Sequence, residues 1–259
     1  MMDSGVFRNL VRHEFKGKGS WRKQARSRVS KSWWLAYCMI IFAALIVTAT
    51  YFAVNNTLQV NSIWYVTMGF PYMVFFWGYG TVKREWENDT YGWWLTMPYP
   101  RTKLITAKWL GIWLKLLAGI VIVFVVLSAY VLILSLVLPN YSLATVGSFM
   151  ITGIDWLTLV AGFSPLIISL GILTSIIQNT TLRPISPVVW IVFMSGLSLI
   201  FQLPDVVIPE NMIQQEPSHF EAEWFPYSWE LPLVMGLSWI LTYVILRFTA
   251  YLLEKKLDL

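Results

Sequence analysis

The sequence predicts an all-α integral membrane protein of six transmembrane helices, with both termini in the cytoplasm. Three observations carry that prediction. First, 57% of the 259 residues are hydrophobic and only 13% are charged, where a soluble domain carries roughly 25% charge. Second, the apolar residues fall in runs close to the ~20 residues that a helix needs to cross ~30 Å of hydrocarbon. Third, Lys and Arg crowd into alternate connecting segments, the asymmetry that marks cytoplasmic loops. Fifteen Trp and twelve Tyr add the rings that anchor at bilayer interfaces.

Residues 1–33 form a basic cytoplasmic leader and connector, and residues 34–259 the transmembrane domain. The leader is longer than the charged region of a secretory signal, so no cleavable signal is expected. From Val6 to Lys16 a helical period places Val6, Phe7, Leu10, Val11 and Phe15 on one half of the wheel. Arg8, Asn9, Arg12, His13 and Lys16 take the other half, and Glu14 is the exception. Such a basic amphipathic helix suits the inner headgroup layer, with Phe7, Leu10, Val11 and Phe15 inserted. It anchors the chain, or it touches a cytoplasmic partner.

The spans are expected near 34–54, 63–82, 116–138, 156–178, 187–203 and 231–252. They must be helices, because lipid offers no partner to a backbone amide or carbonyl. The stretch 141–153 is also apolar and reads as a re-entrant piece, an interfacial helix or a long loop. Pro71 and Pro165 fall inside the second and fourth spans, where a proline frees a carbonyl and bends a helix. Gly78-Tyr79-Gly80 in the second span permits close helix approach.

Orientation follows from counting. Nine Lys and Arg lie in the leader, six between spans two and three, one between spans four and five, and three at the C-terminal end, the whole supply of nineteen. The remaining loops have none. The expected localisation is a cell membrane of the bacterial plasma-membrane type, crossed several times. The loop 205–230 then lies outside and is acidic, with Asp205, Glu210, Glu216, Glu221, Glu223 and Glu230. It reads as a solvated loop, or as an attractor of cations that His219 could join; the spacing specifies no metal.

Several function classes drop out. The net charge of +5 is accounted for by cytoplasmic loops rather than by nucleic acid. Cys38 is the single cysteine and reads as a small packed hydrophobe. Lys115, Asp155 and Arg247 lie near predicted span ends, so long side chains there can snorkel. Carriers and proton pumps place ionisable groups at mid-membrane, and that pattern is missing. There is no His-Glu-x-x-His pattern and no phosphate-binding glycine loop. Both histidines, His13 and His219, lie outside the spans, which leaves a membrane serine protease without a base. The chain therefore has no cofactor site and no energy source of its own. Active transport would need a partner to supply the work.

The loop from Lys83 to Gly111 carries the most information. Glu85, Glu87 and Asp89 follow the membrane exit; Trp93, Trp94, Leu95 and Met97 form a short apolar block; Pro98 and Pro100 interrupt it; Arg101, Lys103 and Lys108 lead onward. A short helix ending at Pro98 fits this order. It is too short to persist alone and needs a docking surface.

On these residues the chain resembles the permeases of ABC-2 type transporters. Their loop after the second span runs as Glu, Gly-Thr, a leucine run, Pro, Arg and Lys. Here Glu85, Thr90, Leu95, Thr96, Pro98, Arg101 and Lys108 match, Asp89 stands where the family often has Gly, and Gly92 where it often has Glu. The Trp93-Trp94 pair replaces leucines. The resemblance implies six spans, both ends inside, a leader helix along the membrane and a large loop before the last span. It implies partner ATPase subunits that bind ATP and Mg, and a second permease chain. Glu85, Trp86, Glu87, Thr90, Trp93, Trp94, Leu95, Pro98, Arg101 and Lys108 would then form the coupling segment docked on the ATPase. Export of a hydrophobic or amphipathic compound is the function so implied. Two other readings stay open: a scaffold, immunity or sensing subunit that transports nothing, and a lipid-modifying enzyme using Glu85, Glu87, Asp89 and His13.

Overall fold

Helices form wherever the apolar runs were read, and their packing separates one central helix from several peripheral ones. The computed structural model describes residues 4–16, 31–55, 57–202, 227 and 229–255. Among these residues the fold is all-helical and has no strand. Helix α1 is Ser4–Lys16 and α2 is Lys31–Val54. A 3-10 helix, Val60–Gly69, runs into α3, Phe70–Glu87. Then come α4 (Tyr91–Thr96), α5 (Arg101–Val137), α6 (Leu143–Ile177), a 3-10 turn (Arg183–Ile185), α7 (Ser186–Gln202) and α8 (Glu230–Lys255). Four of them, α2, α5, α6 and α8, are long and apolar enough to cross a membrane. Helix α3 has 18 residues with a charged end, and α7 has 17.

The core is built around α6. Small and hydroxyl residues let its neighbours come close. A side chain at Gly78 of α3 would lie 2.6 Å from the Ile168 carbonyl oxygen, and one at Gly171 would collide with the Phe75 carbonyl and the Tyr79 amide. The two backbones therefore touch at reciprocal glycines. Gly80 faces open space, so only the first glycine of the Gly78-Tyr79-Gly80 triplet serves close approach. Several hydroxyls on α6 are buried at little cost because they return a bond to their own helix. Ser169 donates to the Leu166 carbonyl at 2.7 Å and Thr174 to the Leu170 carbonyl at 2.7 Å. Aromatic rings fill the remaining space. Phe75 stacks on Phe193 with centroids 3.9 Å apart, and Trp64 on Phe149 at 4.8 Å.

Several expectations are refined here. The stretch 141–153 is no loop: from Leu143 it is the first part of α6. The Ser142 side chain accepts from the Thr145 amide at 3.3 Å and caps the helix. Helix α6, which covers the fourth predicted span, thus begins well before residue 156, and Asp155 lies inside it, buried, rather than at its end. Burial, and then the Asp155 charge, push the Tyr227 hydroxyl above the usual tyrosine range. Pro71 occupies the first turn of α3, where no helical amide bond is lost, so it starts that helix instead of kinking it. Pro165 does sit within α6. Its missing amide would leave the Ala161 carbonyl without its helical partner, and Ser164 Oγ donates to that oxygen at 2.8 Å. Cys38 is exposed on α2 rather than packed. The connector 17–30, the end of the fifth predicted span at 203, and residues 205–226 of the acidic loop, His219 among them, lie outside the described residues, while Glu230 from that loop starts α8.

Candidate functional site

The turn between α3 and α4 is held by its own hydrogen bonds. Asn88 N–H donates to the Arg84 carbonyl at 3.0 Å, Asp89 N–H to Trp86 at 3.2 Å, and Thr90 N–H to Glu85 at 2.9 Å. To close this turn Asp89 adopts φ 55°, the one positive φ among described residues other than glycine. Asp tolerates that left-handed region better than most residues, and glycine is its usual alternative. Thr90 Oγ1 donates to Glu85 Oε2 at 2.6 Å. Helix α4 then starts and makes barely one and a half turns. It stops at Met97, whose ψ of 135° is the extended setting that a following proline imposes.

The two tryptophans of α4 part company. Successive helical positions lie about 100° apart, so only one can face inward. Trp94 is 5% exposed and packs edge-on to Trp86, centroids 6.4 Å apart. Trp93 is 82% exposed. Leu95 is half-buried against the core, Pro98 and Thr90 are exposed, and Trp86, Glu87 and Arg101 are half-buried. Trp86 also stacks on Tyr91 with centroids 5.8 Å apart.

Beneath Trp94 lies Lys108 of α5, only 1% exposed. Its Nζ donates to Glu14 Oε1 at 2.7 Å and to Glu85 Oε1 at 2.6 Å. It also sits 5.2 Å from the Trp94 ring centroid, over the ring. Three donors thus meet two carboxylates and one π-face, which compensates the removal of the ammonium from water. Lys115, two turns along α5, donates to the Glu14 carbonyl at 2.6 Å. Gly111 lies between them, and a side chain there would stand 2.8 Å from Glu14 Cβ. One lysine therefore clasps four elements: α1, α3, α4 and α5.

The leader helix packs along α5. Val11 is buried, Leu10 and Phe7 are half-buried, and Phe15 is 41% exposed. Glu14, the residue that broke the amphipathic pattern, is the one that joins the clasp. Sequence reasoning missed Glu14, Gly111 and Lys115 as parts of the site. The available signal was a lone acid beside the apolar face of an otherwise basic helix. The four polar residues considered for lipid chemistry are not gathered together. His13 and Glu85 line a cavity of about 360 Å³, Glu87 lines a different one, and Asp89 is exposed at the turn.

An all-helical bundle with long apolar helices, and a braced turn at one end, defines a multi-pass membrane protein. A family model described as "ABC-2 family transporter protein" matches residues 41–227. The chain belongs to that family and is the membrane permease component of an ABC transporter, a transport part and not itself a catalyst. No curated protein and no solved structure matches it.

Proposed function

We propose that this chain forms the substrate pathway of an ATP-driven exporter and receives its drive through α4 from a separate ATPase subunit. The observation that carries this reading is the brace around Lys108. A six-residue helix is not stable by itself, and a push on it would be absorbed by bending. Here Trp94, Glu85 and Lys108 lock α4 to the ends of α3 and α5 and to α1, while Trp93 is left bare for a docking surface. A displacement of α4 would reach two long helices together. Cycling of the partner would then bias inward- and outward-facing states.

The six-span topology fits the same reading. The 3-10 helix Val60–Gly69 and α3 rise about 20 Å and about 27 Å, enough jointly to cross ~30 Å of hydrocarbon. Helix α7 spans about 26 Å. The distribution of Lys and Arg supports an α4 end that faces inward. The cargo would be hydrophobic or amphipathic, such as a peptide, antibiotic or lipid, moved between two permease chains.

The test is co-purification of the tagged chain with an ATPase subunit, followed by ATP hydrolysis in the reconstituted complex. Trp93→Ala, Pro98→Ala and Arg101→Gln are expected to lower permease-stimulated hydrolysis several-fold with membrane insertion unchanged. Lys108→Met should lower both coupling and stability, the latter by about 3 kcal/mol. That is the lower end for a buried ion left unpaired, because Glu14 and Glu85 each keep about a fifth of their side-chain surface. Failure of any ATPase to co-purify would remove the reading.

A further inference from the structure

A second cavity, of about 920 Å³, opens at the α4 end of the bundle between α3, the end of α6 and the start of α7. The smaller cavity near Glu14 belongs to the clasp, whereas this one shares none of the clasp's residues. Its walls are rich in donors. Lys83 and Arg183 are both exposed at its edge. Ser175, 1% exposed, forms part of the wall, and its buried Oγ has no hydrogen-bond partner. Ser186 Oγ accepts from Gln178 Nε2 at 3.3 Å, which leaves its own hydroxyl proton to donate. Among the described residues Glu87 supplies the single carboxylate of the lining.

A buried hydroxyl without a partner costs roughly 1–3 kcal/mol, so such a group calls for an acceptor. Two cations and the Ser186 hydroxyl line this space, and the Ser175 hydroxyl, sealed behind the wall, would reach it by turning about its Cα–Cβ bond; together they suit a compact anion with several oxygens. The geometry also supplies an apolar approach. Trp190 lines the cavity and packs on Phe75 with centroids 4.9 Å apart, and beside it Ile191 is 64% exposed on the outer face of α7. A chain attached to the anion could leave along that face.

We infer that this cavity binds a phosphate-type anion between Lys83, Arg183, Ser175 and Ser186. The anion is either free or carried as the headgroup of a membrane amphiphile whose tail leaves past Trp190 and Ile191. Binding is a property of this chain alone and does not depend on an ATPase, so it stands or falls apart from the coupling proposal. Charge-assisted bonds to Lys and Arg supply the strength. Glu87 lowers the net positive charge of the lining and disfavours polyanions.

The experiment uses the full chain, delipidated in detergent micelles, with retained ligand read by native mass spectrometry. The probes are dioleoylphosphatidylglycerol, dioleoylglycerol, which lacks the phosphate, and inorganic phosphate as competitor. Phosphatidylglycerol should bind at least tenfold more tightly than dioleoylglycerol. The double variant Lys83→Gln/Arg183→Gln, which alters only exposed side chains, should weaken phosphatidylglycerol binding about tenfold. Ser175→Ala should weaken it about threefold. Lys103→Gln, an exposed cation outside the cavity, should leave it unchanged. Displacement by inorganic phosphate would support a free anion as the natural ligand, and resistance to it a lipid headgroup. Equal binding of the two lipids, or an equal loss in the Lys103 variant, would overturn the site.

Discussion

Helices α2 and α6 have similar hydropathy, yet 83% of the residues in the most apolar stretch of α6 are buried and only 6% of those in α2. What separates them is glycine, which α2 lacks and which lets neighbours close on α6 at Gly153, Gly162 and Gly171, together with hydroxyls placed on its buried face. Helix α6 carries Gly153, Gly162, Gly171, Ser164, Ser169, Thr174 and Ser175, and most of these meet a neighbour or bond back to their own helix. Helix α2 carries Ile, Leu, Phe and Val outward all along its length. Lipid tails are as apolar as leucine, so burial within a bilayer is decided by how closely backbones can approach and by which polar groups find partners. Hydropathy tells which segments enter the membrane; it does not tell which of them reach the centre.

The comparison breaks most readily at Gly171. Gly171→Leu puts a large side chain against the Phe75 carbonyl and the Tyr79 amide, and overpacking against backbone should cost about 3 kcal/mol or more. Ala44→Leu on exposed α2 should change stability by less than about 0.5 kcal/mol. Thermal unfolding of the purified variants in micelles measures both, and equal losses would show that the two helices are not distinguished by packing.

A smaller effect is expected where a polar group ties the short 3-10 helix to α6. Trp64 Nε1 donates to the Phe149 carbonyl at 3.0 Å within a buried stack. Trp64→Phe keeps most of the ring and removes the donor, at about 1–2 kcal/mol. An unchanged midpoint would mean that the stacking, not the bond, holds this end.

The smallest effect sharpens the picture of α2. Thr50 Oγ1 and Tyr130 Oη share a bond of 3.1 Å that ties α2 to α5. Tyr130→Phe should cost about 0.6 kcal/mol, the average for such bonds between helices in a bilayer. Thermal unfolding in micelles reads this loss, and an unchanged midpoint would place the attachment of α2 elsewhere.

Much of the candidate site could be read from the residues alone, and the unread part has one cause. The acidic residues, the Trp pair, Pro98 and the basic residues announce a short helix after the second apolar run, and α4 occupies that place. The order does not say that Trp93 and Trp94 point in opposite directions, nor that Lys108 turns inward. Local periodicity assigns a lysine to water because isolated burial of an ammonium is expensive. Only partners distant in sequence reverse that assignment, and Glu14 precedes Lys108 by 94 residues. The same limit applies to Asp155. A predicted span starting at residue 156 left it at an edge, whereas the Ser142 cap starts the helix earlier and carries Asp155 inside.

The residues alone establish that this protein is helical, that it belongs in a membrane, which apolar runs become helices, and that a short helix precedes α5. Those properties depend on composition and local spacing, which every residue carries with it. Only the tertiary structure decided that α6 lies at the centre, that Gly78 and Gly171 meet, that one buried lysine unites α1, α3, α4 and α5, and that a donor-lined cavity opens beside α7. Each of these requires groups far apart in the chain to come within a few ångströms, and the energy that selects them exists only once the helices are packed.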